Sequence, residues 1–222
     1  MLGFYLFTVL YHNPNTQGDS MGNTTISPVK LSFDYPESLS KGTLLLRTFF
    51  GWLYVGIPHG IILALYYIAV AVVTFIAWWA ILFTGVYPKG MFDFAVKLWR
   101  WSIRVTAYMG FFTDQYPQFN GAEDEGYPAR FSLDYPEKLS RGTLILKTLF
   151  GWAYVGIPHG IVLWLYGIAF GFVQFLAWWA ILFTGKYPRS FFDFNVAYYR
   201  WACRVGAYMW LLTDVYPPFS GE

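Results

Sequence analysis

The sequence predicts an all-α integral membrane protein of two tandem repeats. Each is a hydrophobic helical hairpin plus an amphipathic interfacial helix, with a short β-strand preceding it. Residues 28–119 align with residues 128–219 without a gap, and about 58 of the 92 aligned positions are identical. Each copy contains 36 consecutive residues without a formal charge, at 48–83 and 148–183. Only lipid or a much larger protein would hide such runs.

The composition supports a membrane location. Hydrophobic residues make up 56% of the chain and charged residues only 13%, whereas about a quarter of the residues in soluble domains are charged. The 11 Trp and 18 Tyr suit the lipid–water interface, because their rings are apolar and their tips polar. The net charge of +2 is too small to indicate nucleic-acid binding. The single Cys203 excludes an intramolecular disulfide framework, and we interpret it as a small buried hydrophobic residue.

The repeats divide the chain into four parts. Residues 1–27 form an N-terminal segment and linker, residues 28–119 membrane repeat 1, residues 120–127 an acidic linker, and residues 128–222 membrane repeat 2. The apolar start lacks a basic region and a small-residue cleavage site, so we interpret it as a short anchoring segment and not as a signal peptide. The linker carries Glu123, Asp124 and Glu125 between glycines, which is typical of a solvated loop.

Each repeat opens with alternating apolar and polar residues, which predicts a short strand. Val29, Leu31 and Phe33 alternate with polar residues in the first copy, and Phe131 and Leu133 do so in the second. A proline follows each strand and removes the next backbone donor. The two strands are expected to pair into a small sheet on the membrane surface.

The long apolar run is expected to turn back on itself. A straight helix of 36 residues would measure about 54 Å, while the hydrocarbon core is about 30 Å thick. We therefore predict a hairpin over about residues 43–84 and another over 143–184, cut at residues 56–60 or near Tyr67 and Gly167. A re-entrant hairpin and a single kinked helix are the alternatives.

Basic residues lie at matching places in the two copies, which predicts one orientation for both repeats. Each repeat then crosses the bilayer an even number of times. We expect a multi-pass membrane protein with both termini and the inter-repeat linker cytoplasmic. All 15 Lys and Arg residues lie on one side in this arrangement, with Arg47 and Lys147 snorkelling from the first helical turns.

A third helix is predicted over about residues 91–113. Asp93, Lys97, Arg100 and Arg104 recur at steps of four, three and four and form one narrow polar stripe. Such a helix lies in the interface or packs against another membrane helix. The alternative that it spans the bilayer would place two arginines at depth, at a cost of about 2.5 to 3.5 kcal/mol each.

Several phrases that occur in both copies resemble a known family. In the first copy they are Asp34-Tyr35-Pro36-Glu37, Ile57-Pro58-His59, Ala80 to Gly85, Phe92-Asp93-Phe94, Arg100-Trp101 and Thr113-Asp114 with Tyr116-Pro117. The chain resembles two tandem copies of the bacterial membrane-protein family named domain of unknown function 4389. The resemblance implies a bacterial origin and a membrane location, and it implies no activity.

Two groups of residues are candidate sites. His59 and His159 are ionisable groups in apolar runs and would be a ligand for a cofactor or a proton relay, although a structural role at the proline is favoured. A second group would dock an anionic lipid or a partner, or form an ion network that orients the helix. Its members are Asp93, Lys97, Arg100, Arg104, Asp193, Arg200 and Arg204. Asp114 and Asp214 would cap a turn or pair with an arginine.

The sequence favours a non-catalytic role. It contains no nucleophile elbow, phosphate-binding glycine loop, thiol pair or metal-binding histidine helix, and we predict neither a metal nor a cofactor. The first hypothesis is an accessory or scaffold subunit of an inner-membrane complex. The alternatives are a membrane-shaping or lipid-organising hairpin protein and a transporter or channel component. Expected partners are membrane lipids and other integral membrane subunits or a second copy, and not nucleic acid.

Overall fold

The computed structural model describes residues 27–221. The anchoring segment predicted before residue 27 therefore lies outside the described residues. The described part contains four helices and one two-stranded sheet, and residues 27–221 are mostly helical. The elements in chain order are β1 (Val29–Phe33), α1 (Lys41–Thr84), α2 (Lys89–Met109), β2 (Ala129–Leu133), α3 (Arg141–Thr184) and α4 (Arg189–Met209).

Each long apolar run forms one continuous helix of 44 residues, so the predicted hairpin inside the run is wrong. Gly56 keeps right-handed helical angles and does not turn the chain. Pro58 lies just after the irregular stretch and has no N–H to donate to the carbonyl four residues before it. One π-helical turn absorbs the irregularity. That turn is Trp52–Gly56 in α1 and Trp152–Gly156 in α3.

Local signals fix the ends of the long helices. The Ser40 hydroxyl accepts a hydrogen bond from the Thr43 N–H and caps the start of α1. Gly85 ends α1 in the left-handed conformation at φ +75°, which a residue with a side chain rarely adopts. The equivalent Ser140 and Gly185 bound α3. The predicted turn after Thr84 is therefore confirmed.

A helical hairpin does exist, and it is formed by α1 with α2. The Tyr66 hydroxyl donates to the Phe94 carbonyl at 3.0 Å, and the Trp101 indole N–H reaches His59 further along. The contacts run in opposite order along the two helices, so α2 returns antiparallel to the first half of α1. The predicted amphipathic helix thus begins at Lys89 and ends at Met109.

The two predicted strands form and pair antiparallel across the repeats. Leu31 lies opposite Phe131, which is its own counterpart in the second copy. One face of the sheet is buried against α2 and α4, and the other face presents Lys30, Asp34 and Arg130. The predicted pairing of the strands is confirmed.

Contacts between the repeats occur in reciprocal pairs. The Trp78 indole donates to the Thr148 hydroxyl at 2.9 Å, and the Trp178 indole donates to the Thr48 hydroxyl at 2.8 Å. The Leu39 N–H donates to the Gly185 carbonyl, and the Leu139 N–H donates to the Gly85 carbonyl in the same way. Such an isologous interface defines a pseudo-two-fold axis between the repeats.

The long helices are long and apolar enough to cross a membrane. Only 11% of the most apolar window of α1 and 6% of that of α3 are buried inside the protein. The core helix of a soluble protein would be mostly buried, and these helices instead expose a row of large apolar side chains. In α1 this row includes Phe49, Trp52, Ile61, Leu65, Ile68, Phe75 and Phe83.

Candidate functional site

His59 is fully buried in a pocket of aromatic rings. The Phe119 ring stacks on the imidazole with ring centroids 3.9 Å apart and an interplanar angle of 9°. The Trp101 indole N–H donates to His59 Nδ1 at 2.9 Å, and the Tyr116 hydroxyl lies 3.2 Å from Nε2. We call these four residues the histidine cage.

The hydrogen bonds of the cage assign the histidine tautomer. An indole N–H is only a donor, so Nδ1 of His59 is the acceptor and Nε2 carries the proton. Nε2–H then donates to the Tyr116 hydroxyl, which itself donates to the Tyr54 carbonyl at 3.0 Å. That carbonyl lies four residues before Pro58, whose ring has no N–H to offer it. The histidine thus supports a tyrosine that replaces the missing helical hydrogen bond.

The second repeat reproduces the cage in detail. Phe219 stacks on His159 at 3.9 Å and 9°, and the Trp201 indole donates to Nδ1 at 3.1 Å. The Tyr216 hydroxyl lies 3.1 Å from Nε2 and donates to the Tyr154 carbonyl. Both nitrogens of each imidazole therefore have a partner within the protein, which favours the structural interpretation of His59 and His159.

Arg47 occupies a second buried site, between the start of α1 and the end of α2. Its side chain is fully buried, and its guanidinium donates to the carbonyls of Tyr108 and Thr113, both at 2.6 Å. An ion pair with Asp114 at 2.5 Å completes the site. Asp114 also accepts the backbone N–H of Ser40 at 2.6 Å. The cation therefore ties the first turns of α1 to the end of α2.

Lys147 takes the same position in the second repeat. Its ammonium donates to the Thr213 carbonyl and to Asp214, each at 2.7 Å, and lies 3.9 Å from the centroid of the Tyr208 ring. The prediction that Arg47 and Lys147 snorkel to a membrane surface is wrong, because carbonyls inside the protein solvate both cations. Asp114 pairs with an arginine, which was one of the two predicted alternatives, whereas Asp214 pairs with a lysine.

The structure separates the predicted polar stripe of α2 into two sets. Asp93 forms an ion pair with Lys89 one turn before it, and Asp193 pairs with Arg189 in the same way. Lys97 is exposed. Neither carboxylate pairs with the arginines of the predicted stripe on its own helix, which are Arg100 and Arg104 in α2 and Arg200 and Arg204 in α4. Both ion pairs are surface pairs that contribute little stability.

Arg100 and Arg104 bind the inter-repeat linker and the sheet. Arg100 Nε donates to the Phe131 carbonyl at 3.0 Å, and the same guanidinium pairs with Glu123. Arg104 donates to the Ala122 carbonyl at 2.6 Å. A cleft of about 420 Å³ opens beside them, lined by Lys30, Arg130, Glu125 and Asp124 among others. The linker predicted to be a solvated loop is thus bound to α2.

In the second repeat the equivalent arginines contact the backbone. Arg200 Nε donates to the Leu31 carbonyl at 3.1 Å, and Arg204 donates to the Ser220 carbonyl at 3.2 Å. Among the described residues neither arginine has a carboxylate partner, whereas Arg100 has Glu123. Docking of a lipid or a partner at these residues stays a prediction.

One buried polar cluster was not predicted from the sequence. Gln174 accepts hydrogen bonds from the Tyr187 hydroxyl at 2.8 Å and from the Asn195 side chain at 2.7 Å, and it donates to the Gly110 carbonyl at 2.8 Å. The cluster links α3 and α4 to the end of α2. The sequence carried a signal for this cluster, because Asn195 is polar where the first copy has the apolar Ala95, and Gln174 has a longer polar side chain than its counterpart Thr74.

The described residues offer neither a metal cluster nor a reactive thiol. No group of three or more His, Cys, Asp or Glu side chains within residues 27–221 is placed to hold a metal ion. Cys203 is buried, and burial raises the pKa of its thiol to about 12. The thiol is therefore protonated and unreactive at neutral pH.

Comparison with known proteins places both repeats in one family. The family model described as domain of unknown function, DUF4389, matches residues 45–120 and again residues 147–221. This chain belongs to the DUF4389 family. Both DUF4389 copies include a histidine cage and a buried cation, whereas β1 and β2 lie outside the matched residues. Neither a curated protein nor a solved structure matches the chain.

Proposed function

We propose that this DUF4389 protein is a non-catalytic accessory or scaffold subunit of a bacterial inner-membrane complex. The observation that carries the proposal is the exposed apolar row along α1 and α3, which no described residue covers. The buried histidines and cations hold the fold together and are bonded within the protein. The surface of the long helices is then the part that acts on other molecules.

The side chains of this surface suit contacts with other membrane helices. Phe49, Trp52, Phe75 and Phe83 are each more than half exposed. Aromatic side chains provide large contact areas with little loss of conformational freedom, and they are enriched in protein interfaces. Matching residues on α3 give the protein a second surface of the same kind.

Photo-crosslinking in living cells tests the proposal. A photoreactive amino acid at Phe75 should yield a defined crosslinked protein band, and the same residue at Ser132 on the outer face of the sheet serves as the control. A discrete adduct at Phe75 that co-purifies in mild detergent supports an accessory subunit. A clean monomer that crosslinks only to lipid contradicts it.

A membrane-shaping or lipid-organising role is the second candidate, and the length of the apolar row favours it. The row spans residues 45–83, or about 57 Å of helix. This is about twice the thickness of the hydrocarbon core. Reconstitution at increasing protein density tests this role by electron microscopy. Vesicles that become tubular or smaller support the role, and vesicles of unchanged shape rule it out.

A further inference from the structure

The pseudo-two-fold axis passes through the sheet. Leu31 pairs with its own counterpart Phe131, so the axis runs between these residues. A rotation that exchanges two antiparallel strands and keeps their buried faces on the same side is perpendicular to the sheet. One end of the axis therefore emerges through the outer face of the sheet. That face carries Lys30, Ser32, Asp34, Arg130, Ser132 and Asp134.

The long helices run perpendicular to this axis. Lys41 at the start of α1 donates to the Phe183 carbonyl at 2.8 Å, and Arg141 at the start of α3 donates to the Phe83 carbonyl at 2.7 Å. Lys41 and Arg141 are symmetry mates, so the line between them is perpendicular to the axis. Because α1 begins at one of these points and ends beside the other, it lies parallel to the plane of the sheet.

Because α1 and α3 are perpendicular to the axis, they can span a bilayer only if the axis lies in the membrane plane. If the axis lay in the membrane plane, α1 and α3 would span in opposite directions, and the charged face of the sheet would meet lipid at the middle of the bilayer. If the axis lies along the membrane normal, the sheet faces water and both long helices lie flat. The second placement also gives both repeats one orientation, which agrees with the prediction from their matching basic residues.

We propose that α1 and α3 lie in the plane of the membrane, within the leaflet on the side of the sheet, and that the parts of their exposed apolar rows not covered by a partner contact the acyl chains of that leaflet. The row of α1 has no formal charge over residues 48–83. The length of this row also disfavours a spanning helix, because about 57 Å of exposed apolar helix does not fit across about 30 Å of hydrocarbon.

The inference rests on the membrane location in the proposed function and is independent of any partner subunit. In this arrangement the long helices do not cross the bilayer, whereas the charge pattern predicted an even number of crossings for each repeat. It retains the predicted common orientation of the two repeats, because a rotation about the membrane normal does not exchange the two sides of the membrane.

Depth measurements on the full chain test the inference. Single cysteines carrying spin labels are placed at Phe49, Ile61, Ile68 and Phe75 in a Cys203→Ala background, and the protein is reconstituted in lipid vesicles. Accessibility to oxygen and to a water-soluble nickel reagent reports the depth of each label. We expect all four labels in one leaflet, with a depth profile that is symmetric about the middle of α1. A depth that changes steadily from one side of the bilayer to the other overturns the proposal.

Labelling from each side of oriented membranes provides the second measurement. Ser38 and Lys138 are exposed symmetry mates just before α1 and α3. Single cysteines at these positions should react with a membrane-impermeant maleimide from the same side. Labelling from opposite sides overturns the in-plane arrangement and leaves the accessory role untouched. Failure to sediment with vesicles removes the membrane location, while a monomer without partners affects the accessory role only.

Discussion

Arg47 and Lys147 meet the same structural need with different chemistry. Both bind the carbonyl of a threonine and the carboxylate of the next aspartate at the end of the following helix. Arg47 makes one further bond to the Tyr108 carbonyl at 2.6 Å. The matching basic residues could be predicted from the sequence, but their burial could not, because the carbonyls that bind them come from a turn more than 60 residues away.

The first prediction concerns this buried cation. Arg47→Lys should reduce the free energy of unfolding by about 1 kcal/mol or less, because an ammonium suffices at the matching position. Arg47→Met should cost about 3 kcal/mol, because it leaves Asp114 without its cation. Thermal unfolding in detergent measures both, and Lys147→Arg is the matched control in the second repeat. Equal stability of the Lys and Met variants would contradict the role of the charge.

The second prediction concerns the histidine cage. His59→Phe should destabilise the protein by about 1 to 3 kcal/mol, because the buried Trp101 N–H loses its acceptor. His159→Phe should cost a similar amount, since the two cages agree closely. Chemical unfolding of each variant gives the values. A variant of unchanged stability that loses an absorbance band or a bound metal would show that the histidine is a ligand instead.

At the scale of elements, the two repeats have diverged in complementary ways. A Cβ atom built on Gly206 would lie 2.4 Å from the Trp99 side chain, so the glycine makes room for the ring. The symmetry-related positions hold Thr106 and Tyr199 instead. A larger residue on one side thus meets a smaller one on the other, which indicates that each repeat is fitted to its neighbour.

The third prediction tests this fit with a double-mutant cycle. Gly206→Thr should destabilise the protein by about 1 to 3 kcal/mol through overpacking against Trp99. Adding Trp99→Tyr should recover part of the loss, because the pair then matches the residues at the symmetry-related positions. The interaction energy should reach about 0.5 kcal/mol or more. Strictly additive effects would show that the two side chains do not limit each other.

The continuous long helices show what the sequence pattern could and could not predict. The glycine and proline of residues 56–60 indicated a break, and the structure has only a π-helical turn there. Tyr116 supplies the Tyr54 carbonyl, 62 residues before it in the chain, with the hydrogen bond that Pro58 cannot donate. Strands, turns and the amphipathic helix follow local patterns and were predictable, whereas this repair depends on a distant side chain.

The whole molecule behaves as a dimer of repeats joined by a linker. The reciprocal contacts between Trp78 and Thr148 and between Trp178 and Thr48 were not predictable, because a repeated sequence does not tell whether its copies sit side by side or face each other. The two-fold arrangement that follows changes the expected relation to the membrane more than any single residue does.

The fourth prediction is that the covalent connection between the repeats is dispensable for their association. Residues 1–127 and residues 128–222 expressed as separate chains should co-purify as a one-to-one complex, since the contacts across the axis do not need a covalent connection. The complex should be preferred over either homodimer, because Trp99 faces Gly206 only in the mixed pair. Affinity purification with a tag on one half measures the ratio, and recovery of the tagged half alone would contradict the prediction.

The pairing of β1 with β2 has a consequence for synthesis. The strands are separated by about 100 residues in the chain, so β1 has an open edge until the rest of the first repeat, the linker and the start of the second repeat have been translated. During that interval a neighbouring nascent chain offers an equally good edge. Shortening the connection at residues 120–127 should therefore favour exchanged strands and intertwined chains over the closed monomer.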